Sequence, residues 1–113
     1  MLNNITLAGR LTADPELRTS SGGKSVTAFC VAASRDYKGK DGNRESDFID
    51  VVAWGKTAEF ICRYFKKGDS VGITGSLRTR MYEDKQGNRR KAVEVEARSA
   101  AFLGSKKTET PYD

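Results

Sequence analysis

The sequence predicts an all-β domain that carries a single helix. Apolar residues recur at every second position in Ile5-x-Leu7-x-Gly9-x-Leu11, Val71-x-Ile73-x-Gly75-x-Leu77 and Val93-x-Val95-x-Ala97, which is the period of half-buried strands. Between Lys56 and Phe65 the period lengthens to that of a helix. Clusters of Gly, Asp, Asn, Ser and Pro separate these stretches, as turns do.

The first strand runs through Ile5, Leu7, Gly9 and Leu11, and Asp14-Pro15 breaks it. Ser20-Ser21-Gly22-Gly23 reads as a loop. Val26 to Ala33 is apolar on both parities, which predicts a segment covered on both faces. A core helix is the alternative there; β-branched and aromatic residues argue for a strand. The polar run Lys38-Gly39-Lys40-Asp41-Gly42-Asn43-Arg44 carries Asp-Gly and predicts a hairpin into a strand from Phe48 to Trp54. Ala58, Ile61 and Phe65 then fall at i, i+3 and i+7 on one helical face, which Phe60 and Tyr64 widen. Lys66-Lys67-Gly68 closes the helix with cations in the last turn and glycine at the cap. The next strand starts at Val71, runs on to Tyr82 and turns at Lys85-Gln86-Gly87-Asn88. Val93, Val95 and Ala97 form the returning strand, and Phe102-Leu103 reads as a last anchored segment. Three strands, a helix and two strands is the element order of the OB-fold, a five-stranded Greek-key barrel whose helix lies between strands 3 and 4. The domain is expected over residues 1–104, followed by a short disordered tail over 105–113.

Length and composition set the limits. A chain of 113 residues suits one domain. With 37% hydrophobic and 31% charged residues, it is expected to fold rather than remain disordered. No apolar run approaches a membrane span. Met1 to Ile5 lacks the basic and then apolar regions of a signal peptide, so a cytoplasmic location and no membrane partner are expected. Cys30 and Cys62 have no neighbour in metal-ligand spacing, and the chain has no histidine. No metal or cofactor is expected, and both thiols are expected to be buried and reduced.

The same absence of histidine removes the commonest general base, and no nucleophile elbow, Walker A or Rossmann glycine pattern occurs. Asp47 and Asp50 have opposite strand parities, so hairpin ion pairing fits them better than a paired-carboxylate site. No catalytic residue is expected.

The net charge of +5 fits nucleic acid, an anionic membrane, or no partner. Its distribution is more telling. Arg78, Arg80, Lys85, Arg89, Arg90 and Lys91 stand against only Glu83 and Asp84 in residues 78–91, whereas the tail balances Lys106 and Lys107 with Glu109 and Asp113. A protein that holds a single strand without reading its sequence needs cations along the phosphates and flat rings on which bases stack. Tyr37 stands at the first hairpin beside Arg35 and Lys38, with Phe48 on the returning limb. Trp54 shares parity with Phe48. Tyr82 shares parity with Arg78 and Arg80 in the second hairpin. The plainer reading of the basic run is a solvated hairpin face, and a lone strand tryptophan is more often a core residue than a platform. Phe29, Phe60, Phe65 and Phe102 lie in strongly apolar settings and are assigned to the core.

Met1-Leu2-Asn3 and Gly9-Arg10-Leu11-Thr12-Ala13-Asp14-Pro15-Glu16-Leu17-Arg18 resemble the opening of bacterial-type single-stranded DNA-binding proteins. So do Asp47-Phe48-Ile49-Asp50-Val51-Val52-Ala53-Trp54-Gly55-Lys56-Thr57-Ala58-Glu59, Tyr64-Phe65-Lys66-Lys67-Gly68 and Gly75-Ser76-Leu77-Arg78-Thr79-Arg80-Met81-Tyr82. The resemblance spans about residues 1 to 104 in order. It implies an OB-fold, a homotetramer, and sequence-nonspecific binding and protection of single-stranded DNA in replication, recombination and repair, close to the nucleoid. It places stacking aromatics at Tyr37, Phe48, Trp54 and Tyr82, which settles Trp54 as a platform. Arg10, Arg35, Lys56, Arg78, Arg80, Arg89 and Arg90 are expected to meet phosphates. Many family members carry tryptophan where Tyr37 and Tyr82 stand here, which implies less stacking area. Typical members also add a Gly/Pro/Gln-rich linker and an acidic tip that recruits genome-maintenance proteins. This chain stops at Thr108-Glu109-Thr110-Pro111-Tyr112-Asp113. A short or tail-less form and a shortened piece of a longer chain both fit this ending, and it leaves recruitment of those partners in doubt. An OB module for RNA or a primosome, and an OB surface for protein, are the competing functions.

Overall fold

Alternation of apolar and polar residues is realised in β1 (Ile5–Leu11), where the odd positions turn inward and the even ones face solvent. β2 (Arg18–Thr19), β3 (Ser25–Lys38) and β4 (Arg44–Trp54) follow, then α1 (Gly55–Tyr64), β5 (Ser70–Glu83) and β6 (Arg89–Phe102). The structure, a computed structural model, describes residues 2–38, 42 and 44–103, of which 36–38 and 44 are described by backbone alone. The tail expected over 105–113 lies outside the described residues.

The strands form one sheet in the order β1-β5-β6-β4-β3-β2, and a further β1–β3 pairing closes it on itself. β1 runs antiparallel to β5 from Ile5↔Gly75 to Arg10↔Ser70, and its end crosses to β3 at Arg10↔Ala32 and Leu11↔Val31. Side-chain-free positions make the closure possible. A Cβ on Gly9 would sit 2.3 Å from the Ala32 carbonyl oxygen, and one on Gly75 would sit 2.0 Å from that of Glu96. Gly75 also marks the register shift between β5 and β6, where a bulge bends the strand.

Inside the closed sheet Phe29, Val31, Val51, Ile73 and Val95 form the core, and α1 seals one end by burying Ala58 and Ile61. Phe65, just beyond the helix, is 1% exposed and completes that seal. Gly68 ends the connection at φ 89°, and its N–H donates to the Leu11 carbonyl at 2.8 Å. This ties the helix end to the crossing point of β1.

The OB-fold arrangement is present: five long strands form the closed circuit, and one helix spans its end. The helix follows the fourth strand rather than the third, because Arg18 and Thr19 pair with Val26 and Ser25 as an additional two-residue strand. Two residues are too few to show alternation. β3 is buried on one face only. Thr27, Phe29 and Val31 point inward, while Val26, Cys30 and Ala32 are half-buried and Ala28 is exposed. Those outward residues are apolar but small, and they lie beside larger neighbours on β4. Cys30 and Cys62 are free and half-buried, not fully buried, for they sit on the outer sides of β3 and α1. Phe60 and Phe102, assigned to the core from their apolar settings, are 36% and 58% exposed, because no further strand or helix among the described residues covers that side of α1. Phe29 and Phe65 are core residues as expected.

Candidate nucleic-acid interface

Each strand of the circuit has an outer face, and the ladder registers show which side chains share it. Val51 and Ala53 of β4 are buried, so Phe48, Val52 and Trp54 point outward. The parallel pairs Val51↔Val95 and Val52↔Glu96 carry this face from β4 onto β6, where Glu94 and Glu96 point outward with Val52. The antiparallel pairs Ser76↔Glu96, Arg78↔Glu94 and Tyr82↔Arg90 carry it on to β5. Phe48, Trp54, Arg78, Arg80, Tyr82 and Arg90 therefore lie on one continuous face.

The rings are open to solvent, with exposures of 68% for Phe48, 42% for Trp54 and 44% for Tyr82. Small residues stand opposite the first two: Ala32 pairs with Phe48 and Val26 with Trp54. Arg10 extends the same row, since Ala32 is its partner too. Two strand spacings put its Cα ~10 Å from that of Phe48. The Arg10 guanidinium donates to the Gly68 carbonyl at 2.9 Å.

Three arginines of this face are held in place by carboxylates. Arg78 meets Glu96 at 3.0 Å and Arg80 meets Glu94 at 3.4 Å. Arg80 also lies over the Tyr82 ring, 5.6 Å from its centroid. Arg90 binds Asp84 at 2.9 Å, and Asp84 Oδ1 accepts from the N–H groups of Gln86 and Asn88 in the turn, whose Gly87 takes φ 84°. Arg90 and these backbone donors hold the Asp84 carboxyl below the ordinary carboxylate range.

Other predicted residues fall elsewhere. Arg35 lies on the reverse of the β3–β4 ribbon, where it binds Asp47 at 2.8 Å and Glu45 at 3.4 Å. Hydrogen bonding by Arg35 lowers the Asp47 pKa, the hairpin ion pairing that parity suggested. Arg89 pairs in register with Glu83 on the reverse of the β5–β6 ribbon, away from Tyr82. Lys56 is exposed on the first turn of α1, two residues after Trp54. Tyr37 belongs to β3 by its backbone, and its side chain lies outside the described residues. Glu94 and Glu96 escaped the sequence reading. Pairing outward from a turn at Asp84–Asn88 sets Arg78 opposite Glu94, so the strand arithmetic alone contains that contact.

No helix among the described residues is long and apolar enough to cross a membrane. Residues 2–103 match the Single-strand binding protein family. Single-stranded DNA-binding protein A of Bacillus subtilis (strain 168) is 45% identical over 106 residues, which cover 94% of this chain and 62% of the relative. Single-stranded DNA-binding protein 1 of Staphylococcus aureus (strain MSSA476) is 45% identical over 109 residues, 96% of this chain and 70% of the relative. Single-stranded DNA-binding protein 1 of Lactococcus lactis subsp. lactis (strain IL1403) is 44% identical over 109 residues, covering 96% and 73%. The chain thus spans less than two thirds of the length of the Bacillus relative.

Proposed function

The chain belongs to the single-strand binding protein family, and from that premise we propose that it binds single-stranded DNA without reading its sequence and protects it in replication, recombination and repair. One observation carries the reading: Phe48, Trp54 and Tyr82 expose their rings on a single sheet face that also bears Arg78, Arg80 and Arg90. Every base has a π-face, so such rings accept any sequence. Bases stack on Phe48, Trp54 and Tyr82, and Tyr37 is proposed as a fourth platform. Phosphates replace the carboxylates on Arg78, Arg80 and Arg90, while Arg10 and Lys56 flank the path. Arg35 and Arg89, on the reverse faces, are proposed only for a strand that passes around a ribbon edge. The protein acts by binding alone, with no catalytic residue or cofactor. It works as a homotetramer in the cytoplasm at the nucleoid, and sedimentation tests that assembly state.

The test is a titration of Trp54 fluorescence with oligo-dT at low and high salt. Expected is quenching by stacked bases, with affinity that falls as salt rises because phosphate-bound counterions are released. No quenching and no affinity at low salt would sink the reading. Equal binding of poly-U at matched salt would widen the substrate to RNA.

A further inference from the structure

A second group of rings gathers at the opposite end of β5 and β6 from Tyr82. Phe102 lies flat on buried Phe65, with centroids 4.5 Å apart and planes at 16°. Phe102 is nevertheless 58% exposed, so its other face is open. Tyr64 and Phe60 stand upright beside it, at 77° and 67° to its plane with centroids 6.4 and 6.1 Å away. The three rings make a corner with a flat floor and two walls.

The surrounding charge separates this corner from the outer face. Arg78, Arg80 and Arg90 of that face each have a carboxylate partner, and Arg98 donates to the Ser76 hydroxyl and the Asn4 side-chain carbonyl. Around the corner, Lys56, Arg63, Lys66 and Lys67 form no ion pair among the described residues. Arg63 lies 5.7 Å from the centroid of the Tyr64 ring. Asp14 and Asp69, the nearby acids, accept from the backbone N–H groups of Lys67 and Lys66 and leave the ammonium groups unengaged. Glu59 accepts from the Ser25 hydroxyl. Lys56, Phe60 and Tyr64 recur at i, i+4 and i+8, one stripe of α1 that starts two residues after Trp54.

We propose that the corner of Phe60, Tyr64 and Phe102 is a second stacking site for single-stranded nucleic acid, reached from Trp54 along the Lys56–Phe60–Tyr64 stripe of α1. The proposal rests on the single-strand reading above and extends the track beyond the outer face. Unengaged cations favour an anionic occupant, and they disfavour both a cationic ligand and a second copy of the same basic surface. The floor is one open ring face that already ends a parallel stack, and a base adds the next plane to it. An acidic peptide satisfies the charge but offers such a plane only at its own aromatics.

The test is equilibrium binding of oligo-dT of increasing length to the wild-type chain and to Tyr64→Ala, Phe102→Ala and the double variant Arg63→Ala, Lys66→Ala. Because Phe102 covers Phe65, circular dichroism checks folding, and the two exposed-site variants carry the test if Phe102→Ala fails to fold. Short oligonucleotides that fill the outer face alone should bind all variants like wild type. Longer ones should bind Tyr64→Ala roughly five- to hundredfold more weakly, the effect of one lost stacked base. The double charge variant should lose salt dependence only with the longer ones, by about 0.7 in log–log slope per contact. Equal binding at every length overturns the proposal, as does an equal loss at every length. A change of sedimentation without a change of binding overturns it too, and makes the corner a contact between copies. Failure of wild type to bind even short oligonucleotides sinks the single-strand reading itself.

Discussion

The two ribbons that share the outer face divide its chemistry between them. The β3–β4 ribbon supplies Phe48 and Trp54, while its Arg35 is clamped by Asp47 and Glu45 on the reverse. The β5–β6 ribbon supplies Arg78, Arg80 and Arg90 with one ring, Tyr82, and sets a carboxylate against each guanidinium. One ribbon offers area and the other offers charge that is already neutralised. The net +5 of the chain therefore says little about Arg78, Arg80 and Arg90, each of which is already paired with a carboxylate. Under the proposed function, affinity and salt sensitivity come from different ribbons and can be changed separately.

The largest effect should follow loss of rings from β4. Trp54→Ala should weaken oligo-dT binding by about 1–3 kcal/mol, and adding Phe48→Ala should weaken it further, with the salt slope unchanged. A slope that falls with the rings would erase the division between ribbons. The joint substitution Arg78→Ala, Arg80→Ala should lower the log–log salt slope by up to about 1.4, at ~0.7 per phosphate contact. Titrations at four or more salt concentrations measure it. A smaller change, of opposite sign, is expected from Glu94→Gln with Glu96→Gln. Freeing the guanidinium groups should tighten binding about two- to fivefold at low salt and steepen the slope, given the modest worth of exposed ion pairs. Unaltered affinity would mean that the carboxylates do not compete with phosphate.

The smallest effect concerns the turn that holds Arg90. Its partner Asp84 has a pKa lowered from 3.8, chiefly by the Arg90 hydrogen bond. The contribution of this carboxylate to ribbon stability is present above its unfolded value and is lost as pH falls through the folded one. A carboxyl-carbon NMR titration should give Asp84 a midpoint below 3.8. A midpoint at or above it would unpin the turn, and Arg90 with it.

Parity explains what could be read in advance. Once β4 and β5 were recognised as strands, period two alone set Phe48 with Trp54, and Arg78 and Arg80 with Tyr82. The parallel seam Val51↔Val95 that joins these two sets into one face is a long-range pairing without local signal. The face occupied by Arg35 was equally hidden, because the β3–β4 register shifts between Ser34 and Lys38. Phe60 and Phe102 were misassigned for a different reason. Apolar neighbours in sequence raise the expectation of burial, but burial needs an element overhead, and none among the described residues covers that side of α1. The two-residue β2 was too short to carry a period at all.

The pairing of guanidinium and carboxylate across β5 and β6 bears also on how a strand would leave. A phosphate that departs from Arg78 or Arg80 exposes a bare cation only until Glu96 or Glu94 swings back, and both are within 3.4 Å. Under the proposed function, departure would proceed one contact at a time, each step exchanging one anion for another rather than stripping a charge. A holder built on such replaceable contacts would then yield the nucleic acid gradually to whatever pulls from one end.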